Sequence, residues 1–400
     1  MRSLCCVTGK WWTVGKIVEN GRPNLSIPLA AYFDEGTRRF ADDALCSHLG
    51  DLQRNKLTIL IPPQSPPKDG MRYDGEVTSF VASGPWLSEI LASPKNPLAK
   101  LCYRALALAL SGSLGPVDVK VIHRDTNSGK SGTKAAVEVI VPHLGNDTHL
   151  RVCIESLERQ TLDCGVTVCF DQLASAAILD FLRNRYRVKS YSINPAPGGP
   201  YVIRQHFAMR SEAEFVAFQD SDDYSLPDRL KLMVAHSQDH AADIVGCHEL
   251  RLDEIEQKIF AIRFPLDVNA SLQDSARHAQ FFPTTVVRSS TFRRLGGFST
   301  SRSFGSDTEY LLRSHFSAKI LNMDEFLYIR RKREGSLTTA PETSLDSPVR
   351  KALDQLWKSD FAAIKAGVLN LEYSSLAITH SKLHRKIRML DDLAITGCRI

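Results

Sequence analysis

From Ala135 to Phe218 short apolar runs alternate with amphipathic stretches, and this alternation restricts the fold more than anything else in the 400 residues. "VEVIV" (Val137 to Val141) reads as a buried strand. "NDTHLRVCIESLERQ" follows as a helix, with Asn146, Asp147 and Thr148 as cap candidates and Leu150, Cys153, Ile154 and Leu157 at helical spacing. Next come the strand "VTVCF" (Val166 to Phe170), a helix around "ILDFLRNR", the strand "RVKSYSI", the loop "NPAPGGP", a helix over "YVIRQHFAMR" and the strand "EFVAF". Strand, helix, strand in repetition implies an α/β fold, a mostly parallel sheet with helices on both faces. Ligands of such sheets bind beyond the carboxyl ends of the strands. Asp171 and the acidic run "FQDSDDYSLPDRL" (Phe218 to Leu230) both lie there.

Part of that run is turn chemistry, because Ser225 and Asp228 can accept hydrogen bonds from free amides and Pro227 suits a first helical position. Asp220, Asp222 and Asp223 precede the cap and repel one another unless something positive sits among them. A hard divalent cation, Mg2+ or Mn2+, prefers carboxylate oxygens and keeps open positions for phosphates. The cluster is therefore a candidate metal site.

Composition sets the limits around this. A hydrophobic fraction of 43% and a charged fraction of 24% are those of an ordinary globular protein. A net charge of +5 is too small for this length to argue for nucleic acid; it fits an anionic small substrate or a membrane surface. Nine cysteines without a CxxC pair point to a reducing, intracellular compartment, with neither a disulfide framework nor a structural zinc site. "MRSLCCVTGKWWTVGK" lacks the apolar core of a signal peptide, and "LAKLCYRALALALSGSLG" is too short to span a bilayer and is expected to be a buried or interfacial helix. The expected location is cytoplasmic, with peripheral contact at the inner face of the plasma membrane left open.

Three segments are expected. Residues 1–132 show no clear alternation, contain the breaker-rich "ILIPPQSPPKDG" and receive no function. Residues 133–340 form the α/β unit, after the linker "RDTNSGKSGTK", and hold every motif, so the chemistry is expected not to need what precedes them. Residues 341–400 read as a helical tail ending in "HSKLHRKIRMLDDL", where Leu383, Ile387 and Leu390 make a narrow apolar stripe among basic residues.

Two apparent motifs are set aside. "HRDTNSGKS" has Arg124 where a phosphate loop needs its first glycine, and the next periodic segment is a strand, so no helix start is there to cradle phosphates. His236 and His240 are spaced as zinc ligands, but Ser237 and Gln238 stand where a metalloprotease carries its glutamate, so an exposed helix end is the better reading.

Six pieces in order, "VIVPHLGNDTHLRVCIESLERQT", "VTVCFDQ", "GGPYVIRQHFAMRSEAEFVAFQDSDDYSLPDRL", "PTTVVRSSTFRRLGGF", "FGSDTEYLLRS" and "YIRRKREGSLT", resemble the inverting family 2 glycosyltransferases of the GT-A fold. The resemblance implies a nucleotide-diphosphate sugar donor, a divalent metal and a saccharide or lipid-linked acceptor, in the setting of cell-surface polysaccharide or glycoconjugate synthesis. By resemblance Asp222 and Asp223 hold the metal, Asp223 being the better direct ligand, and Asp220 contacts ribose or holds the loop. Asp171 hydrogen-bonds the nucleotide base, and Pro142 with its loop shapes the base and ribose wall. Arg330, Arg331 and Arg333 close over the diphosphate or form a basic surface loop. Asp307 is the general base, with Glu309 as rival. Phe170, His143 and Ser306 depart from the family pattern, and the Gln-x-x-Arg-Trp motif of processive synthases is absent, which favours transfer of one sugar per encounter. A nucleotidyltransferase would need a triphosphate loop after the first strand, and "PHLGNDTHL" has none. A sugar-nucleotide binding protein without turnover is the non-enzymatic alternative.

Overall fold

The computed structural model describes residues 136–390 apart from 184 and 186, and before them 56–61, 64–77, 79–83, 98–111, 113, 117–123 and four short strands ahead of residue 33. The linker expected at Arg124 to Lys134 and the chain after residue 390 lie outside the described residues. The first strands are β1 (Trp12–Thr13), β2 (Ile17–Glu19), β3 (Arg22–Asn24), β4 (Leu29–Tyr32), β5 (Lys56–Leu60), β6 (Arg72–Glu76), β7 (Ser79–Ser83) and β8 (Asp118–Ile122), with helix α1 (Leu98–Ala109) before β8. β1, β4, β7, β5 and β8 make one sheet in that order. Cys102, Ala105, Leu106 and Ala109, spaced three and four apart, form the buried stripe of α1, the buried alternative expected for this stretch.

The α/β unit follows the alternation read from the sequence. It runs β9 (Val137–His143), α2 (Asp147–Glu158), β10 (Gly165–Phe170), α3 (Ala176–Arg183), β11 (Val188–Asn194), α4 (Pro200–Ala208) and β12 (Phe215–Phe218). Asn146 caps α2, its side chain accepting from Thr148 N at 2.8 Å. The four strands are parallel in the order β12, β9, β10, β11. Chain direction across the sheet therefore reverses between β9 and β12, and in open α/β sheets ligands bind in the crevice outside the carboxyl ends of the strands at such a switch point.

The second half extends the sheet with β13 (Tyr224–Ser225), β14 (Ile244–Asp253), β15 (Lys258–Arg263), β16 (Val286–Arg288), β17 (Ile320–Lys332) and β18 (Lys386–Met389). Its helices are α5 (Arg229–Asp239), α6 (Val268–Ser271), α7 (Ser289–Arg294), α8 (Ser306–Ser314) and α9 (Pro348–Lys365). One correction concerns the tail: it is helical over α9, but the basic segment expected as a helix contributes β18, antiparallel to β11 from Tyr191↔Met389 to Asn194↔Lys386. Its stripe is a strand pattern, with Ile387 and Met389 half-buried between exposed Lys386 and Arg388.

Two apolar cores fill the faces of the parallel sheet, one under α2, α3 and α5, the other under α4, α7, α8 and α9. A third lies between the N-terminal sheet and the long strands: Leu57, Ile59, Phe80, Leu106 and Val119 meet Leu250, Leu252, Ile259, Phe326 and Ile329. β6 also pairs with β15, so the N-terminal segment extends the central sheet itself.

Candidate active site

The acidic turn begins where β12 ends. Gln219 and Ser225 are wholly buried and bound to Arg229, whose Nη1 reaches Gln219 Oε1 at 2.6 Å and Ser225 Oγ at 2.7 Å, so the base of the turn is fixed from α5. The three carboxylates then go to different partners. Asp220 is paired with Arg204 of α4. Asp222 accepts from Arg333 Nε at 2.8 Å. Asp223 is 4% exposed; its Oδ1 accepts from Arg331 N at 2.8 Å, and its Oδ2 is buried without a hydrogen-bond partner. Burial, then the charges of Asp222 and Asp220, push the Asp223 carboxyl well above the usual range.

α4 links this turn to the opposite wall. Its first turn carries Tyr201 and Arg204, three apart and therefore on one face. Arg204 holds Asp220, and Tyr201 Oη donates to Asp307 Oδ1 at 2.8 Å. Asp307 sits in the first turn of α8, which follows Gly305 at φ 78°. A Cβ at Gly305 would come within 2.7 Å of Trp357, so only glycine lets α8 start against α9 there. Asp307 Oδ1 also accepts from Thr308 N at 2.9 Å. Two residues on, Glu309 is wholly buried, bound to Ser299 at 2.7 Å and paired with Arg302 and Arg313. Burial raises its carboxyl even against those partners. Of the two acidic residues singled out on α8, Asp307 is the one that is part-exposed and joined to α4, and Glu309 is in the core.

Asp171 directly follows β10, is 4% exposed, and accepts from Gly198 N at 2.5 Å and Gly199 N at 2.7 Å. Both oxygens thus hold the Gly/Pro loop that starts α4. Gly199, at φ 86°, is the residue before that helix. Pro142 lies in β9 opposite Cys169, beside the loop whose Gly145 faces Arg333. The arginines at the end of β17 and just beyond it diverge. Arg333, the residue after the strand, reaches the carboxylate of Asp222, whereas Arg331 donates to the backbone of the turn at Asp222 O (3.1 Å) and to Leu110 O at 3.3 Å and pairs with Glu254, tying the end of α1 to the turn. Arg330 stacks over Phe281, its Cζ 4.6 Å from the ring centre, with buried Glu249 at 3.8 Å.

His236 and His240 stack at 4.1 Å between ring centres at the end of α5, away from this crevice, and no group of three or more metal-ligating side chains occurs among the described residues. No described helix is long and apolar enough to cross a membrane. Cys102, Cys153, Cys164, Cys169 and Cys247 are free and buried. Tyr201 and Arg204 escaped the sequence reading. Their signal was two polar groups on an apolar stripe, since Tyr201, Ile203, Arg204, Phe207 and Ala208 are all buried and both the tyrosine hydroxyl and the arginine then need partners.

Residues 138–294 match the family model described as glycosyl transferase family 2. The chain carries a family 2 glycosyltransferase domain. Its sheet, reversing at β9 and β12 with the acidic turn at the switch point, has the α/β architecture that the resemblance implied. Among curated relatives, the family 2 domain is similar to the putative glycosyltransferase EpsH of Bacillus subtilis, 29% identical over 119 residues, or 28% of this chain and 33% of that one. It is also similar to the uncharacterized glycosyltransferase EpsJ of the same organism, 23% identical over 231 residues, or 54% of this chain and 67% of that one. The chain thus spans about one third of EpsH and two thirds of EpsJ. The crystal structure of S. aureus TarS 1–349 with UDP-GlcNAc aligns at a TM-score of 0.44 and 20% identity, covering 60% of this chain and 73% of that one.

Proposed function

We propose that the chain transfers a glycosyl residue, with inversion, from a nucleotide-diphosphate sugar bound at the acidic turn to an acceptor hydroxyl deprotonated by Asp307. The supporting observation is α4: one helical turn holds Asp220 through Arg204 and Asp307 through Tyr201, so donor loop and base share one rigid support. Tyr201 fixes one oxygen of Asp307, and Oδ2, which carries no hydrogen bond from a described residue, is left for the acceptor's proton. Attack on the face opposite the leaving diphosphate inverts the anomeric centre.

The donor set fits a hard divalent cation. The Asp222 carboxylate is part-exposed and paired with Arg333, and Asp223 presents a buried oxygen without a partner. A site of one or two carboxylates completed by substrate phosphates suits Mg2+ or Mn2+ better than an all-protein cage. Such an ion would neutralise charge growing on the departing diphosphate. Arg333 would then exchange Asp222 for a phosphate oxygen, and Arg330 would add a second positive charge beside the turn. Asp171 would act on the donor indirectly, by shaping the loop before α4. A saccharide or lipid-linked acceptor, in polysaccharide or glycoconjugate assembly, is the setting that agrees with the family.

Titration calorimetry with a panel of nucleotide-diphosphate sugars, with and without manganese, tests the reading. Wild-type protein should bind at least one donor more tightly with manganese, and Asp222→Ala should lose that metal-dependent gain. Equal affinity in Asp222→Ala would remove the metal from the turn.

A further inference from the structure

The middle residue of the acidic turn, Ser221, is held by a buried chain of side chains that starts on the opposite strand. Ser221 is 9% exposed, and its Oγ lies 2.9 Å from His143 Nδ1. His143 Nε2 lies 3.3 Å from Asp147 Oδ1, and Asp147 Oδ2 accepts from Ser175 Oγ at 2.5 Å. His143 is 1% exposed and closes β9 opposite Phe170, on which its ring packs edge to face at 5.4 Å. The imidazole thus has one hydrogen-bond partner on each nitrogen and an aromatic wall on one side.

The chain has a definite polarity. The Asp147 carboxylate can only accept, so it selects the tautomer with the proton on Nε2, and Nδ1 is left to accept the Ser221 hydroxyl proton. Burial, outweighing the pull of Asp147, keeps the imidazole below its ordinary pKa and hence neutral at pH 7. Ser221 in turn sits between Asp220, held by Arg204, and Asp222, held by Arg333. A rotation of this one residue would turn both carboxylates.

We propose that His143 is a positioning residue which, through Ser221, fixes the acidic turn in the shape that receives the donor's diphosphate. This rests on the donor reading given above. His143 acts through Ser221 and touches no reacting atom.

The test uses the whole chain with UDP-GlcNAc and GDP-mannose as probes, manganese present, and calorimetry as readout. Asparagine places its amide where Nδ1 lies and keeps the bond to Ser221; glutamine reaches the place of Nε2 and keeps only Asp147. His143→Asn should therefore bind donor within about threefold of wild type, whereas His143→Gln, His143→Ala and Ser221→Ala should each bind about tenfold more weakly, the scale of one lost buried hydrogen bond. Melting temperatures separate this from unfolding, and Ser221→Ala, which removes a single hydroxyl, carries the test if the His143 variants do not fold. Wild type that binds donor beside a Ser221→Ala of equal affinity overturns the proposal alone, as does a Gln variant as tight as Asn. Wild type that binds neither probe nor any other sugar of the panel overturns the donor reading and the proposal with it.

Discussion

Asp307 and Glu309 show how two carboxylates on one short helix come to have different fates. They are two positions apart, so their side chains point about 200° away from each other around the axis. One meets Tyr201 of α4, and the other is enclosed by Ser299, Arg302 and Arg313. Asp307→Asn keeps the size and the bond from Tyr201 but cannot take a proton, so turnover should fall about a hundredfold or more with donor affinity unchanged. Glu309→Gln breaks a buried ion cluster and leaves Arg313 short of its counter-charge, which costs on the order of 3 kcal/mol in stability. Donor turnover measured at a temperature where both variants are folded separates the two. A dead Glu309→Gln with a native melting curve, beside an active Asp307→Asn, would reverse the assignment of the base.

The elements of the parallel half were legible in the sequence because each carries a local signal: Asn146 before α2, an apolar run for β9, β10 and β12, and a Gly-Pro start for α4. What was hidden depends on contacts far apart in sequence. Arg204 meets Asp220 only because α4 crosses the end of β12, and β18 is a strand only because β11 offers it an open edge. The acidic turn was legible as a cluster, but the distinct partner of each carboxylate was not. Helix α5 carries a similar hidden coupling at its far end. Burial, then the charge of His240, lowers His236 to about 4. A histidine that folding keeps neutral binds fewer protons in the native state than in the unfolded one, so its contribution is complete above about pH 6.5 and is lost as pH falls toward 4. Because the ring is partly exposed, the effect should be about 1 kcal/mol at pH 5. Denaturant unfolding of wild type and His236→Gln at pH 5 and pH 7.5 should show the variant losing less stability on acidification by that amount; an identical loss in both would show that His236 does not titrate in this window.

At the scale of the molecule, the sequence suggests a catalytic unit independent of what precedes it, whereas the packing argues for dependence. Leu250, Leu252, Ile259, Phe326 and Ile329, all at most 2% exposed, face Leu57, Ile59, Phe80, Leu106 and Val119 from the N-terminal sheet and α1. Polar ties reinforce this face: Asp69 pairs with Arg277 at 3.2 Å, His123 with Glu325 at 3.0 Å, and Tyr73 of β6 accepts from Arg251, which holds Glu249 at 2.6 Å beside Arg330. Through Tyr73 and Leu110 the N-terminal segment reaches Arg330 and Arg331, the two arginines that flank the acidic turn. Exposing large apolar side chains forfeits roughly 1.5 to 3 kcal/mol for each one fully uncovered. Five such residues approach the whole stability of a domain, about 5 to 15 kcal/mol. A chain beginning at Ser131 should therefore be aggregation-prone or loosely packed, with a melting temperature lowered by at least about 10 °C. Coexpression of residues 1–130 as a separate chain should restore a soluble complex. Size-exclusion chromatography with thermal denaturation checks both statements. A monomeric truncated chain that melts within a few degrees of the full protein and binds donor equally well would show that the third core is an accessory contact and that the α/β unit stands alone.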